Sequence, residues 1–187
     1  MTKELEAADK LAKAALFACQ AHASQTRDDG KTPYAVHLFR VVEYLRTIAA
    51  ERDQEVLCAA YLHDTIEDCG ATYDTIAIQF GAPVASLVAE LTNDNRLPKA
   101  QRRSTMIEHI RFITPRAKRI KLADRLDNVT DLLRSENPPK SKCERYVHET
   151  ERILQACENA SPPLEDALRF EFEELKRHVA HAFAVRD

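Results

Sequence analysis

Apolar residues recur along this chain at intervals of three and four, which is the spacing of helices. Leu5, Ala8, Leu11, Ala15, Cys19 and His22 fall near one stripe and predict a first helix over 3–25. TRDDGKTP, residues 26–33, breaks the stripe with charge, Gly30 and Pro33, and reads as a loop. Val36, Phe39, Val41, Val42 and Leu45 predict a second helix over 34–50. Asp53 suits the N-cap of a third, 54–68, which Cys69-Gly70 would end. Thr72 opens a short helix to Phe80 that Gly81 stops, and Pro83 begins another to about Leu91. After the polar loop TNDNRLP come helices over 98–112 and 115–134, the second opened by Thr114 as N-cap and Pro115 in the first turn. SENPPKS interrupts the pattern, and two last helices, 140–159 and 164–184, are split by SPP. No segment alternates as a strand does, and there is no internal repeat. The expected fold is all-α, an irregular bundle of about eight to ten helices.

Composition narrows the class. At 187 residues, 44% apolar and 30% charged, the chain has the makings of one soluble domain with a proper core. Three glycines and no tryptophan fit helices rather than sheet. A net charge of −3 supplies no global basic field, so neither nucleic acid nor an anionic membrane is an expected partner. The cysteines, at 19, 58, 69, 143 and 157, are odd in number and form no C-x-x-C pair; reduced thiols in the cytoplasm are expected. MTKELEAADK lacks the apolar centre of a signal peptide, and no run reaches the ~20 apolar residues of a membrane span. The expected organisation is a domain over 1–160, with 161–187 forming a C-terminal helix packed on it or held at an oligomer contact.

The chemistry concentrates in CAAYLHDTIEDCG, residues 58–70. On a helix, His63 and Glu67 are one turn apart, and so are Asp64 and Asp68. His63-Asp64 then form one layer and Glu67-Asp68 the next, roughly 5–6 Å on. Clustered acids repel unless a cation sits among them, and an imidazole–carboxylate set suits Mn²⁺, Fe²⁺ or Zn²⁺. Taken alone, the stretch reads equally as a solvated helix end. Two other segments tip the balance. PYAVHLFRVV puts His37 in the first turn of an apolar helix, where a core or capping role is the plainer reading. IKLADRLDNVTDLL puts Asp124 beside the buried stripe Ile120, Leu122, Leu126, Val129 and Leu133, where an acid is costly unless paired or ligated.

The resulting H…HD…D pattern resembles the HD-domain metal-dependent phosphohydrolases. HDTIED followed by KLADRLDN is similar, more narrowly, to the hydrolase domain of RelA/SpoT-type alarmone enzymes. GKTPYAVH, QFGAPVASLVAELTND and LPKAQR resemble the small stand-alone members, a type also found in animals, and the likeness runs from about 5 to 155. The resemblance implies one Mn²⁺ held by His37, His63, Asp64 and Asp124, with Glu67 and Asp68 handling water and protons beside it. It implies hydrolysis of the 3′-pyrophosphate of guanosine tetra- or pentaphosphate, with Asn128 at the nucleotide. Arg27, Lys99, Arg103 and Lys142 are candidate phosphate cations on segments the family uses, and Tyr146 matches a pocket aromatic that could stack on a base. Lys99 as a loop charge and Tyr146 as a core residue are the plainer alternatives.

Some positions depart from the family pattern. Asp28 stands where a second basic residue often follows Arg27, and Lys142 stands where arginine is usual. Asp28 is therefore expected to repel phosphate. His22, His109 and His148 read as structural or surface residues, and His178 with His181 as a surface pair. Two other functions stay open at this point. One is a phosphatase for another nucleotide, such as the 2′-phosphate of NADPH. The other is a module that senses a nucleotide without turning it over, though such a module has no need of Glu67 and Asp68.

Overall fold

The computed structural model describes residues 3–94 and 96–184, apart from the side chains of 3–5, 7, 99, 100, 103, 104 and 182–184. Ten helices follow one another among them: α1 Lys3–Ala21, α2 Ala35–Thr47, α3 Gln54–Leu62, α4 Thr65–Cys69, α5 Tyr73–Phe80, α6 Ala82–Leu91, α7 Lys99–Ile110, α8 Pro115–Arg134, α9 Lys140–Ala156 and α10 Pro162–Ala184. There is no sheet among the described residues, and the all-α expectation holds. The helix starts rest on side-chain caps. Asp53 accepts from the Glu55 amide, Thr72 from Thr75 and Thr114 from Ala117, each satisfying a backbone donor that the first turn leaves open.

α8 runs through the middle of the bundle, against α2, α3, α6, α9 and α10. Its residues 122–127 are all buried, acids and arginine included, because neighbours cover it on nearly every side. α3 is the second buried rod, with Val56 to Leu62 all inside. The site stands where the C-terminal end of α3, the start of α2 and the middle of α8 meet.

One expectation is corrected here. The segment 54–68 is two helices, not one, and the break falls at His63-Asp64. His63 Nδ1 donates to the Ala60 carbonyl at 2.8 Å, and Thr65 Oγ1 donates to that of Leu62 at 2.6 Å. Those side chains take carbonyls that a continuing helix would give to the amides of Asp64 and Ile66. Asp64 sits at φ −98°, ψ −3°, and α4 follows until Gly70, at φ 72°, ends it in a left-handed turn. The first helix also stops earlier than expected, at Ala21.

α10 lies along α8 and α9, and Leu164, Leu168 and Leu175 are wholly buried. This helix is thus part of the core from Leu164 to Leu175. Leu168→Ala should lower the unfolding free energy by about 2–5 kcal/mol, as core leucine truncations do. Urea unfolding measures it, and a loss well under 1 kcal/mol would mean α10 is only loosely docked.

Candidate metal centre

His37, in the first turn of α2, and His63, at the end of α3, are 1% and 3% exposed, with ring centroids 5.3 Å apart. Each ring uses Nδ1 to fix itself. His37 Nδ1 donates to Asp127 Oδ2 at 2.7 Å, and His63 Nδ1 donates to the Ala60 carbonyl. Both Nε2 atoms are buried with no hydrogen-bond partner. A buried, unsatisfied nitrogen is costly, and two of them aimed at one point call for a ligand.

Two carboxylates complete that point. Asp64 Oδ2 lies 3.0 Å from His63 Nε2 and 3.8 Å from His37 Nε2. Asp124 Oδ1 lies 3.5 Å from His37 Nε2 and 3.9 Å from His63 Nε2. His37, His63 and Asp124 each offer a ligand atom within 4.8 Å of the others. Other partners hold the acids in place. Tyr34 donates its hydroxyl to Asp64 at 2.5 Å, while Lys121 and Asn128 donate to Asp124 at 2.8 and 2.5 Å. The two orphaned nitrogens and two flanking carboxylates fit a divalent cation of the borderline transition-metal kind.

The charge balance agrees. Burial alone would raise the Asp124 pKa, but Lys121 and the imidazoles reverse this and hold it well below the carboxylate range. Burial likewise opposes charge on His63, yet Asp64 and Asp124 push it up to about 9. Without a cation, a proton on His63 offsets part of the buried acids' charge.

Glu67 and Asp68 follow on α4. Glu67 Oε2 is held by the Asn93 amide at 3.0 Å and its side chain at 2.9 Å. Asp68 is the freer of the two; partial burial, then Asp64 and Glu67, raise its pKa to about 6. A carboxylate with that affinity is suited to taking a proton near neutrality.

The substrate candidates are placed unevenly. Arg27 is tied to Asp131 at 2.7 Å and to Asn128 Oδ1 at 2.9 Å, so Asn128 bridges Arg27 and Asp124. Lys142 is paired with Asp28. Tyr146 packs on the core with the guanidinium carbons of Arg125 and Arg145 at 4.8 and 5.0 Å from its ring centre, and Lys142 Nζ at 5.4 Å. Lys99 and Arg103 lie outside the described side chains.

Sequence reasoning passed over Asp127, Tyr34 and Lys121, which hold the set. Asp127 had a visible signal, an acid three residues after Asp124 beside the same apolar stripe, and the fold buries it fully. His22, read as structural, is 1% exposed and stacks on Tyr34 at 4.6 Å, so it supports the tyrosine that holds Asp64.

The described residues form an all-helical bundle that buries His37, His63 and Asp124 as a cluster able to hold a metal ion. The family model described as HD domain matches residues 14–156, and the chain belongs to the HD-domain family. Human guanosine-3′,5′-bis(diphosphate) 3′-pyrophosphohydrolase MESH1 is 37% identical over 170 residues, covering 89% of this chain and 95% of that protein. The guanosine-3′,5′-bis(diphosphate) 3′-pyrophosphohydrolase of Aquifex aeolicus is 37% identical over 131 residues, which are 18% of its length. A solved structure, described as a metazoan ortholog of SpoT that hydrolyzes ppGpp, superposes with a TM-score of 0.84 at 33% identity, over 88% of this chain and 94% of that one.

His63 titrates from an ordinary value near 6.5 to about 9, so its protonated form stabilises the fold fully below about pH 6.5 and ceases to as pH rises through 9. The melting temperature of chelator-treated protein should therefore fall between pH 7 and 9.5. Saturating Mn²⁺ should flatten the fall, since the cation replaces the proton. An unchanged slope with metal would mean that no cation takes the place of those protons.

Proposed function

We propose that the chain is a manganese-dependent hydrolase that removes the 3′-pyrophosphate from guanosine tetra- and pentaphosphate. The observation that carries this reading is the pair of buried, orphaned Nε2 atoms between Asp64 and Asp124, with Glu67 and Asp68 one turn beyond. Relatives that carry the pyrophosphohydrolase name along nearly their whole length support the substrate class. His37, His63, Asp64 and Asp124 would hold the cation, and manganese suits the nitrogen and carboxylate donors. When bound, it lowers the pKa of a coordinated water and offsets phosphate charge.

The remaining work belongs to side chains. Glu67, fixed by Asn93, orients the attacking water. Asp68 accepts its proton, with an affinity near neutrality. Asn128 and Tyr146 would hold the ribose and base, and Arg27 and Lys142 the outer phosphates. No helix among the described residues is long and apolar enough to cross a membrane. The five unbridged cysteines support the cytoplasm as the compartment.

Phosphorus NMR of a nucleotide panel with Mn²⁺ tests the reading. Pyrophosphate released from guanosine tetraphosphate is expected; orthophosphate from NADPH instead would make the chain a phosphatase, and no product would make it a nucleotide sensor. Glu67→Gln and Asp68→Asn should both retain metal by elemental analysis and lose on the order of 10²-fold or more in kcat. Joint loss of metal and activity in either variant would make that residue a ligand.

A further inference from the structure

The Asp28–Lys142 contact joins two distant segments at the rim of a cavity of about 820 Å³. This cavity lies between the 26–33 loop and the turn that leads into α9. Five cations and four acids line it. Most are already engaged. Arg27 and Arg40 each meet Asp131 at 2.7 Å, and Asp29 is consumed inside its own loop. Lys142 is only 20% exposed, and its neighbour on the solvent side is Asp28, itself 83% exposed. Hydrogen bonds from Arg27 to Asn128 and from Asn128 to Asp124 link the cavity wall to the candidate metal centre.

The loop that carries Asp28 is rigidly built. Asp29 Oδ1 accepts from the amides of Lys31 and Thr32, both at 2.8 Å, and its Oδ2 from the Thr32 hydroxyl at 2.6 Å. The Arg27 amide donates to the Thr32 carbonyl at 2.8 Å, and Gly30 turns the tip at φ 67°. Thr26 pairs with Pro33 at the base. Arg27 then fastens the loop to α8 through Asp131 and Asn128. Asp28 thus stands at a fixed tip with its carboxylate on Lys142.

We propose that Asp28 is a tethered stand-in for phosphate: its carboxylate occupies Lys142 where an outer phosphate of the substrate binds, and it thereby sets affinity for the substrate's anionic end. This rests on the nucleoside polyphosphate reading above. A carboxylate held on a short tether acts at an effective concentration in the millimolar range, so an entering phosphate must displace it rather than meet a free lysine. Simple repulsion by Asp28 would act on phosphate whether or not Lys142 were there. Displacement acts only through Lys142, and that difference makes the two separable.

Calorimetric titration of the metal-loaded full chain with inorganic pyrophosphate decides it, using the native protein, Asp28→Asn, Lys142→Met and the double variant, all checked for native circular dichroism. Asp28→Asn should tighten pyrophosphate by about 3- to 5-fold, the upper scale of removing one exposed pair. Lys142→Met should weaken it, and adding Asp28→Asn to Lys142→Met should change Kd by less than about twofold. An equal gain in both backgrounds would reduce Asp28 to a repulsive charge; no gain in the native background, or no pyrophosphate binding by any of the four, would also overturn the proposal. Turnover of guanosine tetraphosphate, followed on the same samples, keeps the two ideas apart. Coupling without turnover sinks the hydrolase reading alone, and turnover without coupling sinks this one alone.

Discussion

Two acids buried in the middle of α8 set the terms for everything around them. Asp124 and Asp127 lie one turn apart on a helix covered by five others, where an unpaired carboxylate costs several kcal/mol. His37 meets that cost from α2, with Nδ1 on Asp127 and Nε2 turned toward Asp124. The contact locks the ring's orientation and tautomer, so the free nitrogen points to one place. α2 is thereby registered against α8, and the end of α3 is drawn to the same spot.

The break at His63-Asp64 is the second half of the same design. A continuous helix would carry Asp64 about 100° around from His63 and keep both on a rod. The side-chain bonds to Ala60 and Leu62 stop α3 there, and Asp64 swings to lie 3.0 Å from the His63 ring. α4 then restarts with Glu67 and Asp68 beyond the centre. Asn93, in the loop after α6, pins one of them, while the other keeps a pKa raised toward neutrality. Under the proposed function, holding and turnover fall to different side chains within six residues of sequence.

Much of this was legible in the sequence, for identifiable reasons. Helix spacing and the caps Asp53, Thr72 and Thr114 are local signals, and local signals survive folding. Asp124 stood out as an acid beside a buried stripe and His63-Asp64 as part of a crowded acidic cluster, while His37 joined them only through the resemblance to HD domains. The kink could not, since it depends on which carbonyls two side chains capture. Tyr34 and Lys121 look like ordinary residues until the fold brings their polar ends to Asp64 and Asp124. The pairing of Asp28 with Lys142 spans more than a hundred residues, and only the closed bundle brings the loop tip to α9.

The central claim is that one divalent cation sits between the two free imidazole nitrogens and the carboxylates of Asp64 and Asp124. Anomalous diffraction at the manganese edge, from crystals grown with Mn²⁺ and without chelator, tests it directly. One strong peak per chain, within coordination distance of His37 Nε2, His63 Nε2, Asp64 and Asp124, is the predicted result. A peak centred instead on Glu67 and Asp68, or no peak between the two histidines, would contradict it.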